Sequence, residues 1–278
     1  MNYRHAFHAG NFADVFKHLL IIRLMEDLQR KEKPMFFLDT HAGAGRYDLT
    51  GDNAGRTDEW RSGVGRLIAA DDVPGDIARY LARLGQSGPR LRWYPGSPLL
   101  AQKLLREGDR AAVCELQPDD AVALQALLRD DPRLAVHRRD GYEALKAFLP
   151  PRERRGLTLV DPPFERRDEF EAMVRGLRTA HRRFPTGIYA LWYPVKDVHA
   201  VSRFRRALGN GRIRRVLDVR MSPLPEDVPG RFNGCGMIVV NPPWGFDDWA
   251  TELLPRLTEL LCEPPGGGRQ SVDWLVGE

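Results

Sequence analysis

The sequence predicts an α/β protein built on a mostly parallel sheet, long enough for one large domain with an insertion or for two small domains, with a helical subdomain inserted at residues 50–92. Three observations carry this. Short apolar runs alternate with longer segments of helical periodicity, the pattern of βαβ units. Four successive strands end in polar or glycine-bearing turns, which is how a doubly wound sheet lines a cleft along its carboxyl edge. Finally, about seventy residues separate the end of the first strand from the start of the second, far more than one crossover needs.

Composition bounds the function. The hydrophobic fraction of 42% supports a real core. No run of 18 apolar residues exists, and Met1-Asn2-Tyr3-Arg4-His5 opens no apolar signal segment, so a soluble cytoplasmic protein without a membrane partner is expected. The isolated cysteines Cys114, Cys235 and Cys262 argue against a disulfide framework, a zinc cluster or an iron–sulfur cluster. A net charge of +4 favours a polyanionic partner, although arginine-rich coding would give the same sign.

Taken in order, residues 3–10 are aromatic and basic, with Tyr3, His5, Phe7 and His8 close together. Neither His5 nor His8 has a third ligand at a recognised spacing, so no metal is expected. Asn11 caps a helix to about residue 31, with Asp14 placed as in a capping box. Val15, Leu19, Ile22 and Met25 form its buried stripe, and Lys17 and His18 lie in its second turn. Residues 35–39 form the first strand. His41-Ala42-Gly43-Ala44-Gly45 follows, where glycines let backbone approach a ligand, but the third glycine of a dinucleotide fingerprint is absent. Helices are expected at 60–70 and 74–84. Tyr94-Pro95-Gly96-Ser97-Pro98 then returns the chain to the sheet, with Ser97 at a helix N-cap and the helix at 99–106.

The second strand, 111–114, ends at Glu115, where an acidic residue meets ribose hydroxyls. The third, 134–138, leads to Asp140-Gly141, a turn placed to meet an adenine amino group. The fourth, 157–160, ends at Asp161. A helix (168–184), a strand (187–192), a helix (195–208), a hairpin (212–220 with 236–240), a helix (249–261) and a short closing strand (271–276) complete the chain.

Asp161-Pro162-Pro163-Phe164 is the stretch with chemistry. The prolines forbid further sheet pairing and hold the carboxylate in extended backbone. An exocyclic amine on a planar base is a poor nucleophile. A carboxylate accepting one N–H and the Pro162 carbonyl accepting the other would orient it, while the Phe164 ring stacks on the base. The pattern resembles the catalytic motif of S-adenosylmethionine-dependent amino-methyltransferases. Asn241-Pro242-Pro243-Trp244 fits the same pattern, but follows a strand expected to run antiparallel, so it faces away from the cleft and reads as structural. Arg166 and Arg167 stand where phosphates flanking an extruded base would pass.

Longer strings are more specific. Tyr-Arg-His-x-Phe-His-Ala-Gly-Asn-x-Ala-Asp-Val-x-Lys-His at 3–18, Leu-Asp-Thr-His-Ala-Gly-Ala-Gly-Arg-Tyr at 38–47, Tyr-Pro-Gly-Ser-Pro at 94–98 and Gly-Ile-Tyr-Ala-Leu-Trp-Tyr-Pro at 187–194 join Asp-Pro-Pro-Phe. Together they resemble the bacterial 23S ribosomal RNA adenine-N6 methyltransferase family, RlmJ, over essentially the whole chain. The resemblance implies a single Rossmann-like class I methyltransferase domain over residues 1–278, with a mostly parallel seven-stranded sheet, using S-adenosyl-L-methionine, with a tail at 1–14 closing over the cofactor. It implies cofactor binding by His18, His41, Ser97, Glu115, Asp140, Gly141 and Asp161, a substrate site built with Tyr3, His5, Lys17 and Phe164, and catalysis by Asp161, Pro162 and Phe164. It also implies 23S rRNA as partner, without an obligate protein partner, and a monomer. Phe164 replaces the family's commoner tyrosine, which keeps stacking and removes a hydroxyl. A DNA adenine methyltransferase and a non-catalytic RNA-binding protein are the alternatives.

Overall fold

The computed structural model describes residues 5–50, 58–85, 91–224, 232–262 and 267–278. Among these, the strands in chain order are β1 (Phe36–Asp39), β2 (Arg46–Asp48), β3 (Trp93–Pro95), β4 (Arg110–Cys114), β5 (Leu134–His137), β6 (Gly156–Val160), β7 (Ile188–Val195), β8 (Val216–Ser222), β9 (Gly234–Val240) and β10 (Arg269–Val276). The α-helices are α1 (Phe12–Gln29), α2 (Glu59–Ser62), α3 (Val64–Ala69), α4 (Gly75–Arg83), α5 (Ser97–Leu104), α6 (Pro118–Leu128), α7 (Gly141–Phe148), α8 (Glu169–Arg183), α9 (Val198–Gly209) and α10 (Phe246–Leu261).

The main sheet runs β10-β8-β9-β7-β6-β1-β4-β5. β1 pairs in parallel with both β4 and β6, so the chain turns one way across the sheet and then the other. That switch point leaves a crevice beyond the carboxyl ends of β1, β4 and β6. β9 is antiparallel between β7 and β8, as expected. The expected count of seven strands is corrected to eight, because β10 pairs antiparallel along the free edge of β8 and covers it.

Alternation along the strands splits the core in two. Phe37 and Leu157 pack on one face with α1 and α10, while Phe36 and Leu38 pack on the other with α7 and α8. α1 is buried nearly all round, since it contacts α4, α5, α10 and β6 at once. Each fully buried Leu or Ile there contributes roughly 1.5–3 kcal/mol of transfer free energy, so packing fixes the helix on the sheet.

The Asn11 cap forms: its Oδ1 accepts from Ala13 N at 3.0 Å and Asp14 N at 3.1 Å. Asp14 departs from the capping-box expectation, since its Oδ2 accepts from Gly10 N, one residue before the cap. Residues 12–14, counted with the tail in the sequence reading, are already helical. The expected helix at 60–70 is broken into α2 and α3 at Gly63. A Cβ on Gly63 would lie 2.2 Å from Gly10 O, so the break admits the residue-10 backbone, which accepts from Val64 N at 2.8 Å.

β2 and β3, which no periodicity announces, form a separate antiparallel ribbon where the chain leaves and rejoins the sheet. Ser97 is the first residue of α5 rather than its N-cap, a place taken by Gly96.

Candidate active site

The first turn beyond β1 shapes the crevice. Gly43 (φ +62°) donates its N–H to Glu115 Oε2 at 2.8 Å, and Glu115 Oε1 accepts from Gln117 N at 2.7 Å. Glu115 is thus pinned at the end of β4, and burial pushes its carboxyl up. Asp140 caps α7, its Oδ1 accepting from Tyr142 N and Glu143 N. Gly141 must be glycine because a Cβ would lie 2.3 Å from Thr40 O and 2.7 Å from the His41 ring. His41 is held against Thr40 Oγ1 at 2.8 Å, and burial lowers it to about 4, leaving a neutral imidazole near pH 7.

His18 is buried deeper. Its Nδ1 lies 3.0 Å from Tyr94 Oη, which in turn bonds Tyr80 Oη at 2.8 Å. Burial drives His18 to about 3, and its Nε2 has no hydrogen-bond partner among the described residues. Ser97 Oγ donates to Asp39 Oδ2 at 2.6 Å. Asp39, the last residue of β1, was missed as a site residue. Burial raises it to about 7, with the nearby Asp161 charge adding to the shift.

Beyond β6, Lys17 organises the carboxylates. Its Nζ lies 2.7 Å from Asp161 Oδ2 and 2.8 Å from Asp14 Oδ1, while Asp14 Oδ2 lies 2.9 Å from His5 Nε2. Burial opposes the charges of Asp14 and Lys17, yet His5 and Lys17 hold Asp14 well below the carboxylate range. Asp14 and Asp161 likewise hold the Lys17 ammonium well above its usual value. The His5 ring also meets Tyr47 edge-on at 4.8 Å. Tyr3 lies outside the described residues.

Phe164 (φ +52°) sets its ring 5.1 Å from Phe170 and 6.0 Å from Trp192. The aromatic wall continues through Phe232, 6.3 Å from Trp192 and capped by Lys196 Nζ at 5.6 Å. Trp192 lies in a string already noted, and Phe232 belongs to the hairpin loop at 222–235, which the sequence puts at the Asp161 end of the sheet; Lys196 carries no such signal, because it falls in a turn without periodicity. The described cofactor candidates line one open cleft of about 230 Å³ with His5, Lys17, Pro162 and Phe164. Arg166 lines it too and pairs with Asp168 at 3.0 Å, whereas Arg167 does not line it.

A doubly wound sheet with an antiparallel penultimate strand, and an Asp-Pro-Pro-Phe turn opening on the crevice at its switch point, define a class I S-adenosylmethionine-dependent methyltransferase. The profile of the family described as ribosomal RNA large subunit methyltransferase D, RlmJ, matches residues 32–276. Two proteins named ribosomal RNA large subunit methyltransferase J, from Haemophilus influenzae and Escherichia coli, are 42% and 43% identical, each covering 100% of both chains. The crystal structure of protein LPL1258 from Legionella pneumophila superposes with a TM-score of 0.89 at 33% identity, covering 96% of this chain and 98% of that one. This chain belongs to the RlmJ family of ribosomal RNA large subunit methyltransferases.

Proposed function

We propose that this protein transfers the methyl group of S-adenosylmethionine to N6 of an adenine in 23S rRNA. The observation that carries the reading is Asp161 at the open end of β6. Lys17 engages its Oδ2, and its Oδ1 has no protein partner among the described residues. Oδ1 accepts one N6 hydrogen, the Pro162 carbonyl accepts the other, and the Phe164 ring stacks on the extruded base. Lys17 keeps the carboxylate from rotating, so the geometry is set before substrate arrives.

The cleft suits the cofactor chemically. Its lining is rich in carboxylates, including Asp14, Glu115, Asp140 and Asp161, which suits a ligand bearing an ammonium, a sulfonium and a ribose diol. The orphaned His18 Nε2 offers a buried polar contact to such a ligand. When bound, S-adenosylmethionine supplies an electrophilic methyl group. In this reading Glu115 takes the ribose hydroxyls, Asp140 and Gly141 meet the adenine end, and Ser97, His41 and His18 meet the remainder. The tail at 1–14, described from His5 onward, covers it, and the described part of the 50–92 insertion, α2 to α4, walls the substrate side.

The test is methyl transfer from labelled cofactor to protein-free 23S rRNA, with total DNA in parallel and nucleoside analysis of both. N6-methyladenosine in RNA alone is expected. Label in DNA would overturn the substrate class, and no label despite cofactor binding would overturn the reaction.

A further inference from the structure

The β2–β3 ribbon has two faces, and the site described so far uses one. Its register sets Tyr47 opposite Tyr94, Asp48 opposite Trp93 and Arg46 opposite Pro95. Tyr47 and Tyr94 are buried and support the cleft, meeting His5 and His18 respectively. Alternation sends Arg46 and Trp93 to the other side. Trp93 is 42% exposed there, with the guanidinium carbons of Arg46 and Arg92 lying 4.7 Å and 5.1 Å from its ring centre.

The fold does not need this arrangement. A ribbon of three residues per strand is closed by its backbone pairs and by the tyrosines beneath it. The outer tryptophan adds little that a smaller side chain would not. Arg46 has no hydrogen-bond acceptor and no carboxylate partner among the described residues, so the ring positions a guanidinium whose donors none of those residues uses. Among the described residues the Arg92 guanidinium donates to Asp48 Oδ2, at 3.3 Å and 3.4 Å on an exposed face, a contact easily exchanged for another anion. A planar cation held over an aromatic ring suits unstacked nucleotides, whose phosphate oxygens meet the guanidinium and whose base faces meet the ring. The ribbon is also next to the cleft, since Tyr47 and Gly96, the neighbours of Arg46 and Pro95, line it. It spans roughly 10 Å, so a strand threaded across it lies within a few nucleotides of the extruded adenine.

We infer that the outer face of this ribbon, formed by Arg46, Arg92 and Trp93, is a docking platform for the unpaired RNA that flanks the target adenine. The inference rests on the function proposed above and adds a place where the substrate is held outside the catalytic cleft.

The test compares the wild-type enzyme with Arg46→Gln and Trp93→Ala, using protein-free 23S rRNA as the probe. The readouts are KM for RNA, the salt dependence of RNA binding, and the dissociation constant of S-adenosylmethionine. Trp93→Ala should raise KM for RNA roughly tenfold, the scale of one lost stacking contact. Arg46→Gln, an exposed change with no effect on folding expected, should lower the slope of log K against log salt by about 0.7. Cofactor affinity should be unchanged in both. If the wild type methylates the rRNA and both variants match it in KM and salt slope, the platform is overturned and the function stands. A matching loss of cofactor affinity in both variants would also overturn it, since the ribbon would then act through the cleft. If the wild type neither binds nor methylates the rRNA, the proposed function falls and the platform falls with it.

Discussion

Asp161-Pro162-Pro163-Phe164 and Asn241-Pro242-Pro243-Trp244 each follow a buried strand, and each holds one residue at positive φ, Phe164 at +52° and Asn241 at +55°. Their surroundings could hardly differ more. Asp161 opens on the cleft and faces Lys17 across 2.7 Å. Asn241 closes the opposite edge of the sheet: its Nδ2 donates to Pro185 O and Gly187 O at 2.8 Å each, and its N–H to Arg215 O. Phe164 joins an aromatic wall, while Trp244 stands 91% exposed. The tetrapeptide is a way of ending a strand. Strand direction decides whether that end carries chemistry.

The sharpest way to break this contrast is to remove the two polar heads. Asp161→Ala should lower methyl transfer about 10²–10⁴-fold with cofactor binding largely kept, read by single-turnover kinetics beside calorimetry. Substantial residual turnover would refute its role. Phe164→Ala should come next, losing a stacking contact worth about 1–3 kcal/mol and raising KM for RNA more than it lowers kcat. Asn241→Ala should leave turnover intact yet cost about 1–3 kcal/mol of stability in denaturant unfolding, since two carbonyls lose their donors.

Titration should also separate the two edges. Asp39 keeps a proton up to about pH 7 that the unfolded chain releases near its ordinary 3.8. Its contribution to stability is therefore present in acid and is lost as pH climbs through that window. His18 and His41 work in the other direction. Their ordinary value is 6.5, so their contribution is full above it and is lost as pH falls toward about 3 for His18 and about 4 for His41. Asp39→Asn should thus gain on the wild type between pH 5 and pH 7.5 in urea midpoints; a constant offset would contradict the buried carboxyl. The smallest effect belongs to Trp244→Ala, expected within about 0.5 kcal/mol in stability and silent in activity.

Much of the cleft was legible because strand ends are legible. Glu115, Asp140 and Asp161 each stop an apolar run, and the Asn11 cap announces its helix. What escaped depends on contacts distant in sequence. Arg46 to Asp48 is too short to show alternation, and its partner strand begins only at Trp93. Gly63 breaks a helix because of Gly10, and Asp14 turns from capping to hold Lys17 and His5. Asp39 read as the last residue of a strand, since only burial and the Ser97 hydroxyl distinguish its carboxyl from any other.

Where the ribbon closes, Leu49 N also donates to Arg92 O at 2.8 Å, so the chain that departs at one residue is fastened where it returns. A loop whose ends are clamped is nearly indifferent to its own length, each doubling costing about 0.6 kcal/mol of closure entropy. The turns between those two residues can therefore change in length while the sheet and its crevice stay put, provided that Val64 keeps its bond to Gly10 and Tyr80 its bond to Tyr94.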